Sequence, residues 1–521
     1  MSAVAGISTQ PHLAISPGRL LEHELRLSWR DFRSMLTAGE NRRFPVAISI
    51  LIFIALLLHL PALAMVRSYA DAGIDSPVKT LFSVSLIVLL YFSLMLSQAM
   101  ETVTRTLYSR GDLDLVLSSP VSPARLFAVR IATNAILVAV MAVALVSPFV
   151  DALVLTGGAR WLTAYAAAAS VGLIASAAAV AITVAMFRLL GPKRTRVVAQ
   201  VVAAIIGAAF AIGLQVGAIV YYGNMSRGVF TASPEVVQHL PGAASALWWP
   251  ARAVLGDLPA TASVVIIALA ALALTALAFA PRLGEHSLAA TAIAASTGHA
   301  KARGHAFRVG SAAAALRRKE WLLLRRDPWL VSQTLTQLLY LIPPALLLVR
   351  NFGSSSGTFV VVVMVLVSVG GQLAGALSWL AISGEDAPDL VRAAPVSALA
   401  VTRAKVEAVM GAVALMLAPL VVAFAFLSPL HAVAAVAGVA CAAASTIRIQ
   451  LWFRAQAKRS LFRRRHTSSR IATFAEALVS FSWAAAAGLA AAGTWLAAVS
   501  AVVALLILAG VKALAPRRAE T

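Results

Sequence analysis

Charge is scarce in this sequence. Only 12% of its 521 residues are charged while 60% are hydrophobic, against about 25% charged in soluble globular domains. With a mean hydropathy of +0.87, a water-soluble fold is excluded and the chain reads as an integral membrane protein. Acids are the scarcer sign, 21 against 43 Lys and Arg, which leaves a formal charge of +22. In a soluble protein that excess would point to nucleic acid. In so apolar a chain it reads as positive-inside bias facing anionic lipid, and no nucleic-acid partner is expected. Cysteine is nearly missing as well: Cys441 stands alone, which excludes an intrachain disulfide and a cysteine metal cluster. The phosphate cradle Gly-x-x-x-x-Gly-Lys-Ser/Thr does not occur, and no cytoplasmic stretch is long enough to fold as a nucleotide-binding domain. Met1 to Pro17 lacks a cleavable-signal pattern, so the N-terminus is expected to be retained.

What is present is a series of apolar runs of about 20 residues, each long enough to span a bilayer as a helix. Phe44 to Val66, Thr80 to Met100, Ala128 to Val150, Trp161 to Leu190, Val197 to Tyr222 and Thr261 to Ala280 make six. Trp329 to Val349, Thr358 to Ile382, Ala404 to Leu427, Leu430 to Leu451, Ile471 to Ala492 and Trp495 to Leu514 make six more. The expected fold is therefore an all-α membrane protein of about twelve transmembrane helices. Basic runs fall on alternate connections: Arg42-Arg43, Lys193-Arg194, Arg317-Arg318-Lys319, Arg463-Arg464-Arg465 and Arg517-Arg518 on one side, isolated Arg67, Lys79, Arg160, Arg227, Arg252 and Arg350 on the other. This asymmetry places both termini inside, and the expected location is the bacterial inner (cytoplasmic) membrane. Asn224-Met-Ser226 matches a glycosylation acceptor, too short and frequent a pattern to carry weight.

The spans fall into two halves because a motif repeats. Asp114-Leu-Val-Leu-Ser-Ser-Pro-Val-Ser122 returns 275 positions later as Asp389-Leu-Val-Arg-Ala-Ala-Pro-Val-Ser397, with six of nine positions identical. Both copies lie between the second and third spans of a half, on the cytoplasmic side. Leu113, Val116 and Leu117 would form one apolar face of a short helix that Pro120 ends, with Ser119 or Ser122 free to cap the next helix. Asp112 and Asp114 are acids on a face dominated by Lys and Arg, natural contacts for a partner's basic groups. Asp386, Asp389, Pro395 and Ser397 repeat that arrangement. A turn that merely connects two spans is the plain alternative, and the recurrence argues against it.

A second repeat precedes each half. Leu21, Leu25, Trp29, Phe32 and Leu36 recur at helical spacing with Arg26, Arg30 and Arg33 between them, the pattern of an amphipathic helix at the membrane interface. Glu24, Arg30 and Asp31 of this stretch match Glu320, Arg326 and Asp327 at an offset of 296, and Trp29 has a counterpart in type at Trp321. The organisation expected is a first unit over residues 1–283, a flexible Ala-, Gly- and Ser-rich linker over 284–315, and a second unit over 316–521. His286, His299 and His305 in the linker have no metal-site spacing. An external insertion, Gly223 to Pro259, separates the last two spans of the first unit and reads as short helices broken by prolines, with tryptophans at interface depth.

In these features the chain resembles the permeases of type 2 ATP-binding cassette exporters. Those proteins carry an amphipathic interface helix, six spans per unit, a cytoplasmic coupling helix between spans two and three, and an external helical insertion between spans five and six. The resemblance identifies Leu21 to Leu36 and Leu316 to Asp327 as interface helices, and Gly111 to Arg125 and Glu385 to Arg403 as coupling segments. It implies an export function without enzymatic activity in this chain, and cytoplasmic ATPase subunits that bind ATP and Mg on their own surfaces. Asp112, Asp114, Pro120, Ser122, Asp386, Asp389, Pro395 and Ser397 would then meet the ATPase. Two departures stand out: both units are fused in one polypeptide, and the second lacks the insertion.

Ionisable groups within the spans are costly and are the default candidates for a transport path. Glu407 and Glu476 lie a few residues inside the cytoplasmic ends of their spans, where snorkelling to the interface would satisfy them. Gln98, Asn134, Gln215 and Gln372 are expected to hydrogen-bond between helices. With spans otherwise rich in Ala and Gly, a hydrophobic or amphipathic substrate is favoured over a charged one. Two other classes compete. An ion-coupled secondary transporter also uses repeated halves but places charged or broken-helix sites near the midplane, and a membrane-embedded transferase could hold Mg2+ between Asp112 and Asp114.

Overall fold

A single apolar run can satisfy its own backbone in lipid only as a helix. A computed structural model describes residues 16–37, 44–66, 70, 77–108, 122–222, 239–296, 311–326, 339, 356–383, 388–453 and 470–514, which are mostly helical, joined by short turns, with no strand among them. Nine helices among the described residues are long and apolar enough to cross a membrane, and the chain is an all-α membrane protein. These nine coincide with nine of the expected spans. Of the other three, Phe44–Val66 is helical, Val197 to Tyr222 is the second part of a longer broken helix, and Trp329 to Val349 lies outside the described residues except for Leu339.

The chain divides into two compact units. The first comprises Met1–Ser34, Asn41–Ala199 and Met225–Ala300, and the second Met35–Glu40, Gln200–Asn224 and Lys301–Thr521.

The first unit contains α1 (Pro17–Thr37), α2 (Phe44–Val66), α3 (Val78–Tyr108), α4 (Pro123–Gly157) and the start of α5 (Thr163–Tyr222). After residues outside the described set come a 3-10 turn (Ala246–Trp248), α6 (Trp249–Val254) and α7 (Leu258–Ser296). Helix α4 lies at its centre and packs on α2, α3 and α7. Gly172 lets α5 approach it: a Cβ there would sit 2.7 Å from the Cα of Ala139, the backbone proximity that small residues permit between helices in lipid. Helix α5 is broken at Gly191 (φ 73°, ψ 167°), a conformation open essentially to glycine, and Pro192 suits the first position of the helix that resumes. The part of α5 beyond Ala199 is counted with the second unit.

The second unit contains α8 (Ala312–Arg326), α9 (Ser356–Ser383), α10 (Pro388–Ala393), α11 (Ala398–Leu427), α12 (Pro429–Trp452), α13 (Arg470–Ala491) and α14 (Leu496–Leu514). Helix α9 is its core and packs against α11, α12 and α13, with Val363, Val367, Leu373 and Leu377 sealed from solvent. Close approach again rests on glycine, since a Cβ on Gly438 of α12 would lie 2.7 Å from the Cβ of Ala487 on α13. Helices α13 and α14 are joined by a tight turn at Ala492–Trp495, in which Gly493 has φ 69°.

One sequence expectation needs correcting. The stretch read as a flexible linker from Gly284 begins as helix, because α7 continues through Pro281 to Ser296. Alanine supplies both flexible-looking composition and the highest helix propensity, and here the helix prevails.

Candidate functional site at the repeated motif

The two copies of the motif each end on a serine that starts a membrane-length helix. Ser122 is the N-cap of α4 with φ −64° and ψ 134°, and Ser397 is the N-cap of α11 with φ −68° and ψ 143°. The extended backbone is the same in both; the side chains differ. Ser397 Oγ accepts a hydrogen bond from the Ala400 amide at 3.2 Å, satisfying one of the donors a helix start leaves open. Ser122 makes no such bond, and Pro123 takes the first helical position instead.

In the second copy the residues before the cap form the short helix α10, as the apolar spacing with a terminating proline leads one to expect. Leu390 on it is 75% exposed and Leu399, just after the cap, is 80% exposed. Pro395 is exposed in the bend between α10 and α11. Asp389 belongs to α10, but its side chain lies outside the described set, as does Asp386 altogether. In the first copy Asp112, Asp114 and Pro120 lie outside the described residues.

The two stretches read as interface helices are helical, α1 and α8, and each begins earlier than the sequence pattern suggested. Trp29 of α1 packs against Phe32 and Phe44 at 5.7 and 6.4 Å between ring centroids, and the Arg33 guanidinium sits 4.9 Å over the Phe44 ring. The end of α1 is thus fastened to the first residue of α2, while Arg30 and Asp31 face outward. In α8, Trp321 lies over Gly411 of α11, where a Cβ would be 3.1 Å from the indole. The Arg326 side chain and Asp327 lie outside the described residues.

Glu24 of α1 and Glu320 of α8 make contacts that the sequence did not reveal. Glu24 Oε1 is 3.4 Å from Arg130 Nε on α4. Glu320 Oε1 is 3.4 Å from Lys405 Nζ on α11 and the same distance from Lys319 Nζ. Glu320 is 1% exposed and neither of its oxygens has a hydrogen bond of good geometry among the described residues. Lys405 also donates a short hydrogen bond to the carbonyl of Ala381 in the last turn of α9. Glu407, on α11, binds Arg403 at 2.8 Å and Arg317 of α8 at 3.2 Å. It is therefore a further link between α8 and α11, which accounts for it without a transport path.

The remaining polar candidates divide. Glu476 does not snorkel, in contrast to the sequence expectation: it accepts a short hydrogen bond from Gln450 of α12 and faces Gly375 of α9, whose absent Cβ would be 2.6 Å from Oε2. It points inward because glycine leaves room there. Asn134 is buried, and neither atom of its amide finds a partner among the described residues, contrary to an interhelical bond. Gln98 and Gln372 are half-buried and their amides make no interhelical bond among the described residues, and the side chain of Gln215 lies outside the described set.

Sequence reasoning missed a polar network at the other end of the first unit. His59 of α2 donates from Nδ1 to the Ala55 carbonyl at 2.7 Å and faces Asp151 Oδ2 through Nε2 at 3.2 Å. Tyr165 donates to the other oxygen of Asp151. Beside it the described part of the insertion is held by Trp248, whose indole donates to Pro241 and Gly242, and by Asp257, paired with Arg252 at 2.6 Å. Trp248 is buried with Trp161, Leu81 and Leu255.

No group of three or more His, Cys, Asp and Glu able to hold a metal exists among the described residues. No family model, curated protein or solved structure matches the chain.

Proposed function

We propose that the chain is the membrane-spanning permease of an ATP-binding cassette exporter, two six-span units fused in one polypeptide and driven by separate cytoplasmic ATPase subunits. The observation that carries this reading is the motif that recurs at one place in each half and opens the third span in the same backbone conformation. In its second copy the short helix α10 carries the exposed Leu390, and Leu399, in the first turn of α11 just after the capping serine, is exposed as well. Burial of such side chains contributes about 1.5–3 kcal/mol each, so a cytoplasmic surface that exposes them is suited to a docked partner. Closure of two ATPase subunits on ATP would push these segments and rock the halves between inward and outward openings. The charge-poor spans favour a hydrophobic or amphipathic substrate.

The test is purification from native membrane in mild detergent. A soluble subunit with vanadate-sensitive ATPase activity is expected to co-purify. Its absence, together with substrate movement on an ion gradient by the chain alone in vesicles, would overturn the proposal. A specific observation favours that second reading: the inward-facing Glu476, with Gln450 as its partner, is an intramembrane carboxyl of the kind that couples transport to ions.

A further inference from the structure

Two offsets relate the halves, and they come from separate stretches. The interface helices align at 296 and the motifs at 275. Applied to Glu24, the first gives Glu320; applied to Arg130, which lies outside the stretch that defines it, the second gives Lys405. These are the partners that meet, at 3.4 Å in both units. One contact is therefore made twice, by equivalent residues, with arginine in one half and lysine in the other.

We propose that Glu24 with Arg130, and Glu320 with Lys405, are the joints through which movement of the repeated motif reaches the interface helix. This rests on the permease reading. Each cation stands eight residues beyond its capping serine, about 12 Å along the third span, so the span's first two turns act as a rigid arm between motif and joint. In the second unit the joint also collects the other end of the motif segment. Lys405 holds the Ala381 carbonyl near the end of α9, where helix carbonyls lack partners of their own, and it holds Glu320 of α8. Both flanks of the segment from 383 to 398 thus converge on one ammonium.

Stability alone is a poor reason for such a contact. The side chains are little exposed, 9% and 18% for Arg130 and Glu24, 10% and 1% for Lys405 and Glu320. Buried ion pairs are often replaceable by apolar groups without loss, whereas removing one partner strands a charge. A pair with fixed geometry at the same joint in both halves is better suited to positioning than to holding the fold together.

The experiment uses the complex with its co-purified ATPase in lipid nanodiscs. Cys441→Ser removes the native thiol, and Leu322→Cys on α8 carries an environment-sensitive fluorophore. In this background, ATP with Mg2+ and vanadate is expected to shift the emission. In Glu320→Gln/Lys405→Met, which removes both charges together and so strands neither, ATPase binding should persist while the shift falls about five-fold or more, the lower end of ordinary site-to-site coupling. The swap Glu320→Lys/Lys405→Glu should recover most of it. An undiminished shift in the neutral variant overturns the joint and leaves the permease standing; so does a loss that the swap leaves unrepaired alongside loss of ATPase binding, since that marks a merely structural role. If no ATPase co-purifies even with the unsubstituted chain, the permease reading fails and the joint falls with it.

Discussion

Ser122 and Ser397 occupy the same place in the repeat and do different work. Ser397 accepts from the Ala400 amide, whereas Ser122 leaves its cap to the backbone and Pro123. Ser397→Ala should therefore weaken the first turn of α11 by about 1 kcal/mol, the usual cost of a lost cap. Ser122→Ala should leave α4 unchanged. Hydrogen exchange of the opening turns reads both, and equal acceleration in the two variants would contradict the assignment. Caps of this kind are legible in sequence because they depend on chemistry three residues apart. The joints are not. Glu24 meets Arg130 across more than a hundred residues, and nothing in either local pattern says which of many bases an acid will find. Glu476 escapes a sequence reading for a related reason: nearness to a span end suggests snorkelling, while the inward direction is set by Gln450 and by the space at Gly375.

At the scale of elements, long apolar runs dictated their helices because lipid leaves the backbone no other partner. The amphipathic stretches gave α1 and α8 for the same reason applied to one face. What composition could not resolve was alanine, which extends α7 into the stretch read as linker. Nor could it show which glycines are contacts. Gly438 stands where α12 meets α9 and α13, with Val367 and Ala487 closing on the position of its missing Cβ. Gly510 of α14 has nothing within 4 Å of that position. Gly438→Ala should therefore force rigid neighbours apart and cost about 1–3 kcal/mol. Gly510→Ala should be neutral or slightly stabilising, since glycine in a helix interior is about 0.5–1 kcal/mol worse than alanine. Thermal unfolding in detergent compares the two, and a lower midpoint for Gly510→Ala than for Gly438→Ala would refute the packing assigned to α12.

For the whole molecule the decisive quantity is the side of the membrane on which each connection lies. In the proposed topology, which the distribution of Lys and Arg favours, both copies of the motif lie inside and the insertion between the last spans of the first half lies outside. Leu390 and Ala243 are exposed positions in those two places, and the chain has one native thiol, Cys441, which Cys441→Ser removes. In that background Leu390→Cys should react with a membrane-impermeant maleimide only after the cytoplasmic side is opened, and Ala243→Cys should react in intact cells. The permease reading requires this arrangement, because an ATPase can reach α10 only from the side that holds ATP. Labelling of Leu390→Cys from outside would remove the coupling role of the motif however well the repeat itself is kept between the halves. Agreement at both positions would fix the parity of the connections between them, including the stretch from Trp329 to Val349 that the twelve-span count needs to cross the membrane once.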